Sequence, residues 1–420
     1  MKLLIRQALI ASANAPHHNT IQDILIAGDT IAQIAPHIDT DADKILETDG
    51  LTVSQGWVDS FAHFCDPGFE HRETLESGAT AAAAGGYTRI LLIPNTKPVA
   101  DNKSAISYLL NKSNSLPIHI HPLGALTRAT EGKELAEMYD MYQNGASAFT
   151  DGLHSVQQPG ILLKALQYVK AFDGVVIQMP VDKSIGAHGL MNEGIISTQM
   201  GLPGIPALAE EIMVKRDLDL LRYTQSKLHF TGISTAKSLA LIQEARKEGW
   251  NVTCSVTPYH LLFCDEDLQQ YNTLLKVNPP LRSAADRAAL QQGIVNGSID
   301  CIATHHLPQH TDQKVCEFEY AAWGMIGLQT SFAIINQLFP DLSAERLAQL
   351  FSENARNIFA LPATNIREGE KAELTLFSKH GTTSLTPSNN LSKSQNSPLM
   401  NHSLPGKVWG TFVKGKFFTF

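Results

Sequence analysis

The chain has 420 residues, of which 43% are hydrophobic and 18% charged, and a formal net charge of −8. That apolar share can bury a large core and excludes a disordered chain, and the length suits one barrel-sized domain with a small satellite. The acidic balance leaves no basic surface for a phosphate backbone, which argues against nucleic acid as a partner. Five cysteines (Cys65, Cys254, Cys264, Cys301, Cys316) are odd in number and form no C-x-x-C pair, so neither a disulfide framework nor a thiolate zinc site is expected, and a reducing cytoplasm is the expected compartment. The apolar run that opens the chain is broken at Arg6 and Gln7, too early for a signal peptide, and no stretch approaches the ~18 apolar residues of a membrane span.

Residues 1 to about 53 predict short strands: Asp23 to Ala27, a Gly28-Asp29 turn, then Thr30 to Ile34 with apolar and polar residues alternating, which is a hairpin. From about residue 54 strands alternate with helices. Eight strands are expected: Val58–Phe64, Arg89–Asn95, Ile118–Leu123, Ser147–Asp151, Val175–Met179, Leu228–Ile233, Val252–His260 and Cys301–His306. Helical spacing fills Glu73–Ala84, Gly132–Gln143, Ile161–Phe172, Ala207–Thr224, Ala236–Glu248 and Ala284–Asn296. Eight such repeats predict a (β/α)8 barrel over residues 54–365, since right-handed parallel crossovers close at that number. A doubly wound sheet is the competitor, but the motifs fall at the C-terminal ends of the strands, where barrels place their chemistry. Strand-like text returns at Ala372–Phe377 and Gly406–Phe418, separated by a Ser/Asn/Thr-rich stretch, Gly381–Asn396, expected as a surface loop. Residues 1–53 and 366–420 are expected to build one composite β domain.

Several motifs, in order along the whole chain, resemble the dihydroorotase family of the amidohydrolase superfamily. They are Gly56-Trp-Val-Asp-Ser with His63-Phe-Cys-Asp-Pro-Gly, Ile93-Pro-Asn-Thr-Lys-Pro, Ile233-Ser-Thr-Ala-Lys-Ser, Val256-Thr-Pro-Tyr-His-Leu, Lys276-Val-Asn-Pro-Pro-Leu-Arg and Gly324-Met-Ile-Gly-Leu-Gln-Thr. The resemblance implies hydrolysis of the dihydroorotate ring amide in pyrimidine biosynthesis, by a zinc-bound water whose pKa falls from about 15.7 toward ~7. It also implies ligands that this chain lacks. The His-x-His pair of the first strand reads Phe61 and His63, and the arginine two residues on is Cys65. The family's acid survives as Asp151, the fifth-strand histidine is replaced by Gln178 or Met179, and the sixth-strand histidine by Gly232. The proton-shuttling aspartate of the eighth strand is His305. Asn95 and Asn278 remain at substrate-shell positions.

His63 and Asp151 alone are too few donors for zinc, so no cofactor is expected, with zinc the metal if the protein is active. Three readings follow. The first is a catalytically inactive homologue, resembling the family's degenerate members, which assemble with aspartate carbamoyltransferase; self-association is expected as well. The second is an active cyclic amidohydrolase with an unorthodox site at His63, Asp151 and His305, with His306 as a fourth candidate. The third is a pyrimidine-ligand sensor anchored by Asn95 and Asn278. The plainer assignments are that Phe61 fills space beside neutral, hydrogen-bonded His63 and His305, that His260 and His310 are structural or surface residues, and that His229 is bonded to backbone. Glu70 to Glu73 reads as a charge network at a helix start.

Overall fold

The structure, a computed structural model, describes residues 1–419. All eight expected barrel strands are present: Trp57–Ala62, Tyr87–Leu92, His119–Gly124, Ala148–Phe149, Val176–Gln178, Leu228–Phe230, Val252–Val256 and Cys301–Ile302. Each is parallel to its sequence neighbour. The ring closes between first and last through the Ala62–His306 bridge and the His63 amide, which donates to the His306 carbonyl at 2.9 Å. Asp59 adds a side-chain clasp across the same seam, accepting from the Thr304 amide at 2.7 Å and its hydroxyl at 2.5 Å.

The helices start where the sequence supplies caps. Thr74, Thr235 and Ser283 each accept a hydrogen bond from the third residue of the following helix, and Pro159 opens another at its first position. Two expected elements are shorter than the spacing suggested. The strand from Val252 ends at Val256, because Thr257 caps a one-turn helix that Pro258 begins. The helix expected over Gly132–Gln143 is helical only from Met138, and Leu135 instead bridges Thr127.

A second sheet lies beside the barrel. Its order runs Lys416–Phe418, Ser403–Val413, Leu374–Ser384, Thr52–Gln55, Lys2–Ala11, Ile21–Ala27, Thr30–Ala35, with Lys44–Leu46 also on Lys2–Ala11. Both ends of the chain therefore build it. Its apolar face is made by residues such as Leu3, Ile5, Ile24, Val53, Leu376 and Phe412. The stretch expected as a surface loop is not one. The strand runs to Ser384, and Ser392, Ser394, Asn396 and Ser397 are buried against the barrel. Asn396 donates to the carbonyls of Leu307 (3.0 Å) and Gly324 (3.1 Å) and accepts from the Gln309 amide. Small polar side chains read as loop, but here they satisfy the barrel's exposed backbone.

Sheet and barrel meet at an aromatic cluster and an ion triad. Trp57 stacks on Phe351 at 4.7 Å and packs against Phe332 and Phe377. Gly86, at φ +96°, permits this, since a Cβ there would lie 2.5 Å from the Trp57 ring. Nearby, buried Glu373 takes Arg89 on both oxygens (2.8 and 2.6 Å) and Arg356 at 2.6 Å. Burial opposes its ionisation, yet the Arg356 and Arg89 guanidiniums hold its carboxyl down at about 2. Replacing Glu373 with Gln leaves two buried arginines uncompensated and is expected to cost roughly 3–5 kcal/mol in denaturant unfolding. The folded carboxyl lies below its ordinary value of 4.5. Its contribution is therefore complete above that pH and lost as pH falls toward 2, so the gap between wild type and Glu373→Gln should close as unfolding is repeated from pH 7 downward.

Candidate functional site

The C-terminal ends of the barrel strands surround a cavity of about 20 Å³, lined by Phe61, His63, Ile93, Leu153, Tyr259, Asn278 and His305 among others. That is room for about one water. Phe61 forms one wall, its ring tilted over the His305 imidazole with centroids 4.4 Å apart. Gly232 makes the arrangement possible. It sits at φ +67°, and a Cβ on it would lie 2.5 Å from His305 Cε1. His305 itself adopts φ +45°, a left-handed conformation that side chains seldom take.

The mouth histidines are hydrogen-bonded, His63 through both ring nitrogens and His305 through Nε2. His63 Nδ1 accepts from the Cys65 amide at 2.8 Å, so Nε2 carries the proton and donates to the Asn95 carbonyl at 2.8 Å. Burial pushes its pKa down to about 4, and that of His305 to about 3, so both rings are neutral at ordinary pH. His305 Nε2 meets the Thr231 hydroxyl at 2.7 Å. His306 accepts from the Gly327 amide on Nδ1 and faces Glu73 from Nε2 at 3.4 Å. His260 bonds Thr257 and the Pro279 carbonyl, a structural role.

The carboxylates are equally engaged. Asp151 accepts from the Thr127 amide at 2.8 Å and the Thr127 hydroxyl at 2.5 Å; burial pushes its carboxyl up to about 6. Glu70 and Glu73 do not form one network at the helix start. Glu73 is fully buried and clasps the segment after Ser384, accepting from the Ser392 hydroxyl and the Lys393 amide as well as from Ser77. Gln178 donates to buried Asp217 at 3.2 Å and Met179 lies in the core, so neither lines the mouth. Asn95 holds the loop after the fourth strand, donating to the Asp151 carbonyl and accepting from the Leu153 amide, while Asn278 lines the cavity. Cys65, with its thiol pushed up to about 12 by burial, lies beside His63 Nδ1 rather than offering a cation.

These residues do not fit a zinc ion. Tetrahedral zinc needs three or four free N, O or S donors converging at about 2 Å, and among the described residues no group of three His, Cys, Asp or Glu side chains is so placed. His63, Asp151 and His305 are thus not brought together as a ligand set. The sequence reading also missed residues that organise the site: Glu73, Ser392, Thr231 and Ser255. The period-two polar pattern His229-x-Thr231 and Thr253-x-Ser255, inside strands expected to be apolar inward, was the signal available for the last two. His229 is not bonded to backbone as expected, but to the hydroxyls of Thr253 and Ser255.

The architecture is shared with solved structures of hydantoinases and dihydropyrimidinases. The L-hydantoinase (dihydropyrimidinase) of Arthrobacter aurescens superposes with a TM-score of 0.85 at 23% identity, over 99% of this chain and 96% of that one. The dihydropyrimidinase of Brevibacillus agri gives 0.83 at 19% identity, over 100% and 95%. The fold is thus that of the amidohydrolase-type barrels. Residues 50–238 match the family described as Dihydro-orotase-like. Along its length the chain is 38% identical to a dihydroorotase of Pelotomaculum thermopropionicum, over 99% of this chain and 98% of that protein. It is 37% identical to one of Syntrophus aciditrophicus, over 99% of each. The chain belongs to the dihydroorotase family.

The close approach at Gly232 gives a quantitative expectation. Gly232→His should cost roughly 1–3 kcal/mol through overpacking against His305. In a His305→Asp background the ring it strikes is gone, so a double-mutant cycle by denaturant unfolding should show favourable coupling of about 0.5–3 kcal/mol. Strict additivity would mean that the two positions do not compete for one space.

Proposed function

We propose that this protein is a dihydroorotase-family barrel that does not hydrolyse the dihydroorotate ring and serves pyrimidine biosynthesis in a structural or regulatory role. The observation that carries this reading is the Phe61 ring lying on His305 in a mouth with room for about one water. A phenyl ring donates no lone pair to a metal, and it occupies the volume that a metal-bound hydroxide and a substrate ring would need. The nitrogens of His63 are spent on Cys65 and Asn95, so freeing them would cost hydrogen bonds before any ion was gained. Aspartate carbamoyltransferase, which acts one step earlier, is the proposed partner; this follows from the likeness to degenerate members of the family. Self-association and residence in the cytoplasm belong to the same proposal.

A second reading keeps the activity. It is favoured by identities of 34–38% to proteins named dihydroorotase, and it requires the mouth to reopen around His63, Asp151 and His305. Metal analysis and a ring-opening assay on the same full-length preparation separate the two. Sub-stoichiometric divalent metal and no turnover of dihydroorotate are expected, together with co-elution of the chain with the organism's aspartate carbamoyltransferase in size-exclusion chromatography. Stoichiometric zinc with turnover that disappears in His63→Ala would establish the second reading instead. Restoring Phe61→His, Cys65→Arg, Gly232→His and His305→Asp together is expected to give partial zinc binding at best, because Asn95, Thr231 and Glu73 are bonded for the present arrangement.

A further inference from the structure

The barrel interior is lined mostly by apolar side chains, including Val58, Leu91, Leu123, Ile177 and Cys301. The sixth and seventh strands interrupt that lining with a polar seam. Alternation along a strand puts His229 and Thr231 on one face, and Thr253 and Ser255 on one face. The parallel register sets His229 beside Thr253. The four side chains join His305 in one chain of hydrogen bonds. Thr253 Oγ1 meets His229 Nδ1 at 2.8 Å, His229 Nε2 meets Ser255 Oγ at 3.1 Å, Ser255 Oγ donates to Thr231 Oγ1 at 3.0 Å, and Thr231 Oγ1 meets His305 Nε2 at 2.7 Å.

The two ends open to different places. Thr253 is half-buried and lines a pocket of about 240 Å³ with Lys227, Asn251 and Asn357, at the N-terminal ends of the strands. His305 lines the mouth cavity at the opposite end. Hydroxyls with one proton and neutral imidazoles with one proton leave no proton inside such a chain unpaired only if every member donates in the same direction. The Ser255 hydroxyl sets that direction. Having given its proton to Thr231, it accepts from His229 Nε2–H, and His229 Nδ1 accepts from Thr253; Thr231 in turn donates to His305 Nε2, leaving the His305 proton on Nδ1. Burial holds both imidazoles at about 3, so the neutral forms the chain requires are those present. The positive group beside the seam, Arg246 toward His229, acts in the same sense.

We propose that this chain is a proton path along the barrel axis, through which His305 exchanges protons with water at the N-terminal end of the barrel. In one passage Thr253 passes its hydroxyl proton to His229 Nδ1 and takes another from water. The His229 Nε2 proton moves to Ser255, the Ser255 proton to Thr231, and the Thr231 proton to His305 Nε2. One proton leaves water, His305 gains one, and no electron changes centre. Release of the Nδ1 proton to the mouth returns His305 to neutrality with every bond of the chain reversed, so the tautomers of His229 and His305 are tied together across the barrel. The inference uses only this seam and stands whether or not the mouth is catalytic.

The test uses the full-length protein labelled with ¹⁵N-histidine, in which long-range ¹H–¹⁵N correlations report each tautomer and saturation transfer reports ring N–H exchange. The expected wild-type pair is His229 protonated on Nε2 and His305 on Nδ1. Thr253→Val removes the entry hydroxyl without touching His305, and should slow His305 exchange by about five- to tenfold, the weight of one lost hydrogen bond. Ser255→Ala should slow it as much and let the two tautomers vary independently, and Ser255→Thr should restore both properties. A His305 exchange rate unchanged in Thr253→Val, with near-ultraviolet circular dichroism showing the fold intact, would mean that protons enter by the mouth and would overturn the proposal. Should Ser255→Ala fail to fold, the Thr253→Val result at the half-exposed entrance decides alone.

Discussion

Phe61 can lie on the His305 imidazole only because residue 232 has no side chain. The rest of the mouth follows from that contact. A ring at 61 takes the volume at the centre of the barrel opening, His305 turns to φ +45° to stack against it, and the carbon missing at 232 leaves the space into which the imidazole fits. With its centre filled by carbon, the mouth offers its polar groups little water, and interior groups without water must bond each other. Both nitrogens of His63 and Nε2 of His305 meet that requirement one ring at a time. The three positions therefore behave as a unit, and changing one toward the family pattern meets the other two.

The buried carboxylates tell the same story from the side of the scaffold. Asp59 and Asp151 each grip a threonine through its amide and hydroxyl together, on Thr304 and Thr127, and burial lifts them to about 7 and about 6. Glu73 binds the segment after Ser384 to the mouth, and Glu373 binds the sheet to the opposite end of the barrel through two arginines. Acids that a hydrolase would turn toward a metal or a reacting proton here accept hydrogen bonds from backbone and hydroxyls across strand junctions. Such bonds hold the barrel closed whatever occupies its mouth, in keeping with a fold that superposes on the L-hydantoinase structure at 23% identity.

Much of this was legible in the residues. Eight strands, the closing of the ring and the composite sheet follow from period-two runs separated by helical spacing, and Phe61, Gly232 and His305 stand out once the motifs around them are aligned with the family's pattern. What escaped was long-range and polar. Ser392 and Asn396 sit in a stretch whose composition is that of an exposed loop, because local sequence records hydroxyls and amides but not the distant carbonyls and carboxylate that bury them. Glu73 read as a helix-start charge for the same reason. Thr257 and Pro258 carry a cap signal strong enough to end the strand at Val256.

His229 shows where the remaining information lay. A histidine at an inward position of an apolar strand has two ring nitrogens to satisfy, and within a barrel only the neighbouring strand's side chains at the same level can reach them. Thr253 and Ser255 stand at that level on the seventh strand, two residues apart, as the alternation demands. With the Ser255 proton given to Thr231, His229 Nε2 donates to Ser255 and the Thr231 proton goes on to His305. The polar seam is thus one object rather than four separate pairs, and it ends on His305, the residue expected from the motifs at the position of the family's aspartate. An aspartate there would accept from Thr231 and fix the chain in one direction, whereas an imidazole can accept or donate. With an imidazole at this one position, the chain has two senses.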